Sequence, residues 1–238
     1  MPRQKANNVS KSIGDYLKAI QVVGSRAPAT TNVLAEHLEI ASSSVSAMLG
    51  RLREMGYVTY EPYRGVELTM KGSHEALRLI RRHRLIETFL IEHLGYTWDQ
   101  VHEEAEAIEH VLSDRFTERL ATLLDHPTHD PHGDPIPSAD GTVPHTPNTP
   151  LADLRIGHAL VISRLCTQDP EILAYLAELG IQPGRSITVT AREPYGGLVH
   201  IGLGHRQAVL SKELAALVRG EEQPRNDTAA HHQPLQLH

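Results

Sequence analysis

The chain has 238 residues, 40% hydrophobic and 22% charged, enough for one ordinary domain with one or two small ones beside it. No apolar run reaches the length that spans a bilayer, and MPRQKANNVSKS at the N-terminus lacks the apolar stretch of a signal peptide, so the expected location is the cytoplasm, with no membrane partner. A single cysteine, Cys166, excludes a disulfide framework and a thiolate-rich zinc site. The net charge of −6 argues against nucleic acid only as an average. Residues 1–84 carry 13 Lys and Arg against 7 Asp and Glu, residues 85–150 carry 2 against 13, and residues 151–238 carry 8 against 9. A basic first third can dock on phosphate, while an acidic middle attracts cations.

In chain order, Ile13, Tyr16, Leu17, Ile20 and Val23 recur at helical spacing and predict a helix from Ser12 to about Val23. A second helix is expected from Thr31 to Leu38, capped by Thr30 or Thr31, and a third from Ser43 to Met55, closed by Gly56. Two β-rich stretches, Tyr57–Tyr60 and Val66–Thr69, flank turn residues and read as a hairpin. Helix, helix, turn, helix, hairpin is the order of a winged helix-turn-helix. A long helix from Lys71 to Leu94 and another from Thr97 to Leu124 should follow. Residues 125–150 hold 7 of the 15 prolines and read as a linker or an irregular wrapped segment. The last module, 151–220, alternates strands at ALVISRL, SITVTARE and LVHIGLG with helices near Ile172–Leu179 and Lys212–Val218, the pattern of a small β-rich barrel. The tail, 221–238, is polar and expected to be disordered.

The third helix offers the DNA-reading residues. Val45, Met48, Leu49 and Leu52 form its buried stripe, which leaves Ser42, Ser43, Ser44, Ser46, Arg51 and Arg53 for phosphates and base edges, with Ser42 or Ser43 equally suited to be its N-cap. Thr31 at the start of the preceding helix, and Tyr63 and Arg64 at the hairpin tip, complete the expected contact set.

The most informative stretch is VHEEAEAIEHVLSD, residues 101–114. On one helix His102, Glu106, Glu109 and His110 fall at i, i+4, i+7 and i+8, a stripe beside the apolar seam of Val101, Ala105, Ile108 and Leu112. Imidazoles and carboxylates beside a buried seam need a charge-compensating partner, and a divalent cation serves. His83 and Glu87, four apart on the preceding helix, can face them, as ligands do in helical bundles. Oxygen and imidazole donors without thiolate favour Mn²⁺ first and Fe²⁺ second, with Zn²⁺, Co²⁺ or Cd²⁺ as surrogates.

These residues resemble the diphtheria toxin repressor and manganese transport regulator family (DtxR/MntR), in its three-domain form with a manganese-like ligand set. The resemblance runs from SIGDYL through LAEHLEIASSSVSAMLGRLREMGYVTYEPYRGVELTMKG, RRHRLIETFL and VHEEAEAIEHVLSD to HPTHDPHGDPIP, GIQPGRSITVT and AVLSKELA. It implies a mainly α fold with small β modules: a winged helix-turn-helix (1–75), a helical metal-binding and dimerisation domain with a Pro-rich linker (76–150), and an SH3-like, FeoA-type β-barrel (151–220). It further implies a primary metal site of Asp15, Glu106, Glu109 and His110, and an ancillary site of His83, Glu87 and His102, with Gln168, Asp169 and Glu171 as weaker candidates from the third domain. Lys18 stands where manganese-type members without that domain carry a glutamate, so their two-manganese cluster is not expected. The resemblance also implies a homodimer through residues 85–94 and 111–124, bound to a palindromic operator in double-stranded DNA. The function expected is metal-dependent repression of metal-homeostasis genes, without enzymatic activity. The alternative, a metallohydrolase using Glu106, Glu109 and His110, lacks the paired histidines of HExxH or HxxEH and leaves the winged module unexplained.

Overall fold

The computed structural model describes residues 10–24, 29–61 and 65–223. The chain forms two compact units, residues 1–130 with 135–144, and residues 131–134 with 145–238.

The first unit opens with α1 (Lys11–Gly24), α2 (Thr31–His37) and α3 (Ser42–Glu54), followed by the antiparallel strands β1 (Val58–Glu61) and β2 (Gly65–Leu68). The periodic apolar positions of α1 are the ones it buries: Ile13, Tyr16, Leu17, Ile20 and Val23. They join Leu34, Val45, Leu49, Leu52, Val58, Val66 and Ala76 in a single core. Thr30 caps α2 through Val33 N, as expected. The N-cap of α3 is Ala41 and makes no side-chain cap bond, so the expectation that Ser42 or Ser43 caps this helix is corrected. Ser42 is already helical, and its hydroxyl donates to Asn32 Oδ1 at 3.3 Å instead. Gly56 follows α3 with φ +74°, the left-handed conformation that a helix-terminating glycine takes without strain.

Capped by Thr69, α4 (Met70–Leu94) runs on from the wing and ends at the left-handed Gly95. Gly72 near its start permits close passage, because a Cβ there would lie 2.0 Å from the Tyr57 carbonyl oxygen. The expected continuous helix from Thr97 to Leu124 is instead two, α5 (Val101–Ile108) and α6 (Asp114–Leu123). The cause is Ser113, whose hydroxyl accepts from Phe116 N at 3.2 Å and starts a new helix where apolar periodicity alone suggests continuation. Leu85, Ile86 and Leu90 of α4 pack with Val101, Ala105, Leu120, Ala121, Leu124 and Ile136 in a second core. Part of the proline-rich stretch wraps onto this unit, where Arg81 donates to the Pro137 carbonyl at 2.9 Å.

The second unit is a six-stranded antiparallel sheet, ordered β3-β8-β4-β5-β6-β7. Its strands are β3 (Thr149–Pro150), β4 (Ala159–Leu165), β5 (Ser186–Arg192), β6 (Val199–Leu203), β7 (Arg206–Leu210) and β8 (Val218–Gln223). Two helices complete it, α7 (Pro170–Glu178) and α8 (Lys212–Leu217). Leu160, Ile162, Leu165, Leu173, Leu176, Ile187, Val189, Ile201, Leu210 and Val218 are among its buried side chains. The expected tail boundary at 221 is corrected: β8 continues to Gln223, which pairs with Ala159. Its run Glu221-Glu222-Gln223 is too polar to signal a strand, yet its backbone completes the β4 ladder. The rest of the proposed tail lies outside the described residues. Among the described residues no helix is long and apolar enough to cross a membrane.

Candidate metal centre

Three elements of the first unit meet at the acidic stretch. α1 and α5 both pack on α4, which brings Asp15 and Lys18 of α1, His83 and Glu87 of α4, and the end of α5 together. α5 stops at Ile108, so Glu109 and His110 sit in the turn that leaves it rather than on the expected continuous helical face. Glu109 keeps helical angles (φ −57°, ψ −31°) as the C-cap residue.

Two donor groups result. In the first, Asp15, Glu109 and His110 each offer an atom within 4.8 Å of the others. His110 Nε2 lies 2.7 Å from Asp15 Oδ1 and 3.3 Å from Glu109 Oε1. The approach is at ion-pair distance but off any hydrogen-bond line, so this buried nitrogen has no hydrogen-bond partner. A nitrogen aimed between two carboxylates without bonding either is the arrangement a divalent cation satisfies, and the donors fit such an ion. In the second group, His83 Nε2 lies 3.0 Å from Glu87 Oε1 and 3.2 Å from His102 Nδ1, and the three residues meet the same 4.8 Å condition.

Glu106 is not among the first three donors. Half-exposed, it stands 3.5 Å from Lys18 Nζ and 3.5 Å from His102 Nε2, between the two groups. Lys18 is the residue whose placement sequence reasoning missed. Its ammonium donates to both carboxylate oxygens of Glu109 at 3.2 Å and lies 3.2 Å from His83 Nδ1. Position 18 follows Asp15 by three on a helix, so the two share a face; that spacing was the available signal.

His83 and Glu87 are both 3% exposed and Glu109 is 1% exposed. Burial opposes a charge on His83, but the carboxylates of Glu87 and Glu109 outweigh burial and push it up to about 9. For Glu109 burial raises the pKa, and the His83 and Lys18 contacts more than reverse that, leaving it below the usual carboxylate range. His83 Nδ1 and Glu109 Oε2 are 2.5 Å apart, so one ion pair already links the two donor groups.

Of the expected DNA-contact residues, Ser42, Ser43, Ser44, Ser46, Arg51 and Arg53 are exposed along α3, and Thr31 is half-exposed. Tyr63 and Arg64 lie outside the described residues. In the second unit, the Asp169 carboxylate caps α7, accepting from Glu171 N at 2.9 Å and Ile172 N at 3.2 Å.

Models of three domain families match the chain in order. Residues 8–66 match the iron dependent repressor N-terminal DNA binding domain, residues 69–138 the iron dependent repressor metal binding and dimerisation domain, and residues 149–222 the FeoA domain. The iron-dependent repressor IdeR of Mycobacterium leprae (strain TN) is 32% identical over 201 residues, spanning 79% of this chain and 87% of its own. The chain belongs to the DtxR/MntR family. It is therefore a regulator of the repressor class rather than an enzyme, and the metallohydrolase alternative falls. Among solved DtxR/MntR-like structures, a manganese-dependent transcriptional repressor in complex with manganese shares 38% identity, with TM-score 0.82 over 88% of this chain and all of its own. The repressor ScaR with bound Zn²⁺ is 30% identical, with TM-score 0.77 over 88% of this chain and 98% of its own.

Proposed function

We propose that this chain is a cytoplasmic, metal-dependent repressor of metal-homeostasis genes, active as a homodimer on a palindromic operator, with Mn²⁺ as the preferred corepressor and Fe²⁺ the second. One observation carries the reading. Asp15 belongs to the first helix of the DNA-binding head, Glu109 and His110 to the turn after α5, and the three donors converge within 4.8 Å around a buried nitrogen with no hydrogen-bond partner.

A bound divalent ion supplies a positive centre to which carboxylates and imidazole from both places attach. Asp15, Glu109 and His110 then hold the head at one angle to the dimerisation domain. His83, Glu87 and His102 form the ancillary set, and Glu106, standing between the groups, serves the primary one by a side-chain rotation. A dimer reads half-sites about one helical turn (~34 Å) apart, so an error in head angle misplaces one α3. A free-energy preference of ~1.4 kcal/mol for the DNA-competent state shifts its population tenfold. Ser42, Ser43, Ser44, Ser46, Arg51 and Arg53, exposed on α3, meet the DNA together with Thr31. The hard donor set, without thiolate, supports Mn²⁺ over the softer ions, with Zn²⁺, Co²⁺ and Cd²⁺ as surrogates. The same reading divides the chain functionally near residues 75 and 150, with the third module running to the end of β8 at Gln223.

The test is capture of genomic DNA fragments by the metal-stripped full chain, with and without Mn²⁺, at ~0.15 M salt, where non-specific phosphate binding is much reduced. A few palindromic fragments enriched only with Mn²⁺ are expected. Equal capture without the ion would end the corepressor reading.

A further inference from the structure

Gly14 is out of place by helix chemistry. It is the fourth residue of α1, its N–H donates to the Ser10 carbonyl at 3.0 Å, and it is buried. Glycine is the poorest helix former after proline, and no positive φ requires it at this position. What a side chain here would meet supplies the reason. A Cβ at position 14 would stand 3.1 Å from His110 Cε1, 3.3 Å from His110 Nδ1 and 3.1 Å from Leu79 Cδ2. These separations are shorter than ordinary van der Waals contact, so the imidazole or Leu79 would have to give way.

We infer that Gly14 is a positioning residue for the metal centre: its missing side chain is the berth in which the His110 ring lies against α1. In that berth Nε2 comes within 2.7 Å of Asp15, the next residue along the same helix. The ring thus rests on α1 backbone and points at an α1 carboxylate, which ties ring placement to the position of the DNA-binding head. A small cavity of about 20 Å³ beside the berth is bordered by Gly14, Leu79, Arg82 and His110. A side chain at 14 therefore presses on the imidazole as well as on Leu79, while leaving every ligand in the sequence. The inference rests on the metal-centre reading above, and its test separates the two.

Four full-length proteins are compared: wild type, Gly14→Ala, His110→Ala and the double variant. Each is stripped of metal, titrated with Mn²⁺ by calorimetry, and unfolded thermally without metal. The relevant affinity is the one His110→Ala removes; if His110→Ala leaves Mn²⁺ binding unchanged, the metal-centre reading itself fails and the inference with it. Given that loss, Gly14→Ala should weaken the same affinity about tenfold, the scale typical of residues that orient ligands. Alanine's better helix propensity should raise Tm by about 2–4 °C in the His110→Ala background. With the ring present, that gain should be smaller or reversed. Unchanged Mn²⁺ affinity in Gly14→Ala, or equal Tm shifts in the two backgrounds, overturns the inference. A Gly14→Ala chain that folds only when His110→Ala accompanies it supports the berth, and failure of both to fold overturns it.

Discussion

Lys18 gives the metal-free centre an internal cation. Its ammonium sits against both oxygens of a carboxylate that is 1% exposed, so it shares with His83 the compensation of that buried charge. On the proposed reading, a bound divalent ion would compensate the same carboxylate. The two roles overlap, and their overlap is measurable. Lys18→Gln should destabilise the metal-free protein by about 1–3 kcal/mol, the cost of leaving a buried polar group less well paired. Saturating Mn²⁺ should recover most of that loss in thermal unfolding. Equal destabilisation with and without the ion would mean that Lys18 acts only as packing for α1.

The break between α5 and α6 decides what the centre looks like. Had the helix run from Thr97 to Leu124, His110 would continue the face of His102 and Glu106; instead Glu109 closes α5 with helical angles, and His110, in the turn after it, meets Asp15 of α1. Ser113 fixes where the second helix begins. Buried Arg82 holds that start to α4 through Asp114 Oδ1 at 2.7 Å. Ser113→Ala should cost about 1 kcal/mol of stability, the usual loss of a hydroxyl cap, and lower Mn²⁺ affinity along with it. Loss of stability with metal binding intact would detach the break from the centre.

Most elements were legible because their signals are local. The helical spacing of apolar positions in α1 maps onto buried residues, as do Val45, Leu49 and Leu52 of α3, with Met48 only partly buried; Thr30, Thr69, Gly56 and Gly95 mark helix ends as such residues usually do. The Ser113 cap was legible in principle, but a run of apolar periodicity on both sides concealed it. β8 was not, because Glu221 and Glu222 owe their strand conformation to the β4 edge rather than to their own preference. At the centre, His83, Glu87, His102, Glu106, Glu109 and His110 could be read from spacing, and Asp15 only from the family resemblance. Their division into Asp15–Glu109–His110 and His83–Glu87–His102, with Lys18 and Glu106 between, depends on how three helices cross, which no local pattern encodes.

At the scale of the whole chain, the first unit leaves large apolar side chains at its surface: Leu94 at the end of α4, Val111 in the α5–α6 turn, and Phe116 and Leu123 on α6. They fall within the segments expected to form the dimer, and two of them lie seven apart on one helix, two turns along the same face. Phe116→Asp should shift the protein toward monomer in sedimentation at micromolar concentration and weaken operator binding, while each monomer still takes up Mn²⁺. An unchanged dimer would place the interface elsewhere.

α4 belongs to both cores of that unit: Ala76 lies in the core under the DNA-reading helices, and Leu85, Ile86 and Leu90 in the core under α5 and α6. Its 25 residues span about 37 Å as one uninterrupted rod. Along such a rod each residue advances the azimuth by about 100°, so distance and rotation cannot be changed independently. One residue inserted between Ala76 and His83 would turn His83 and Glu87 a quarter of a circle or more away from α1 while lengthening the molecule by only about 1.5 Å. The spacing between reading head and metal centre is therefore fixed by the rod's screw: one inserted residue spoils the azimuth, and the seven or so that restore it displace the centre by about 10.5 Å along the rod.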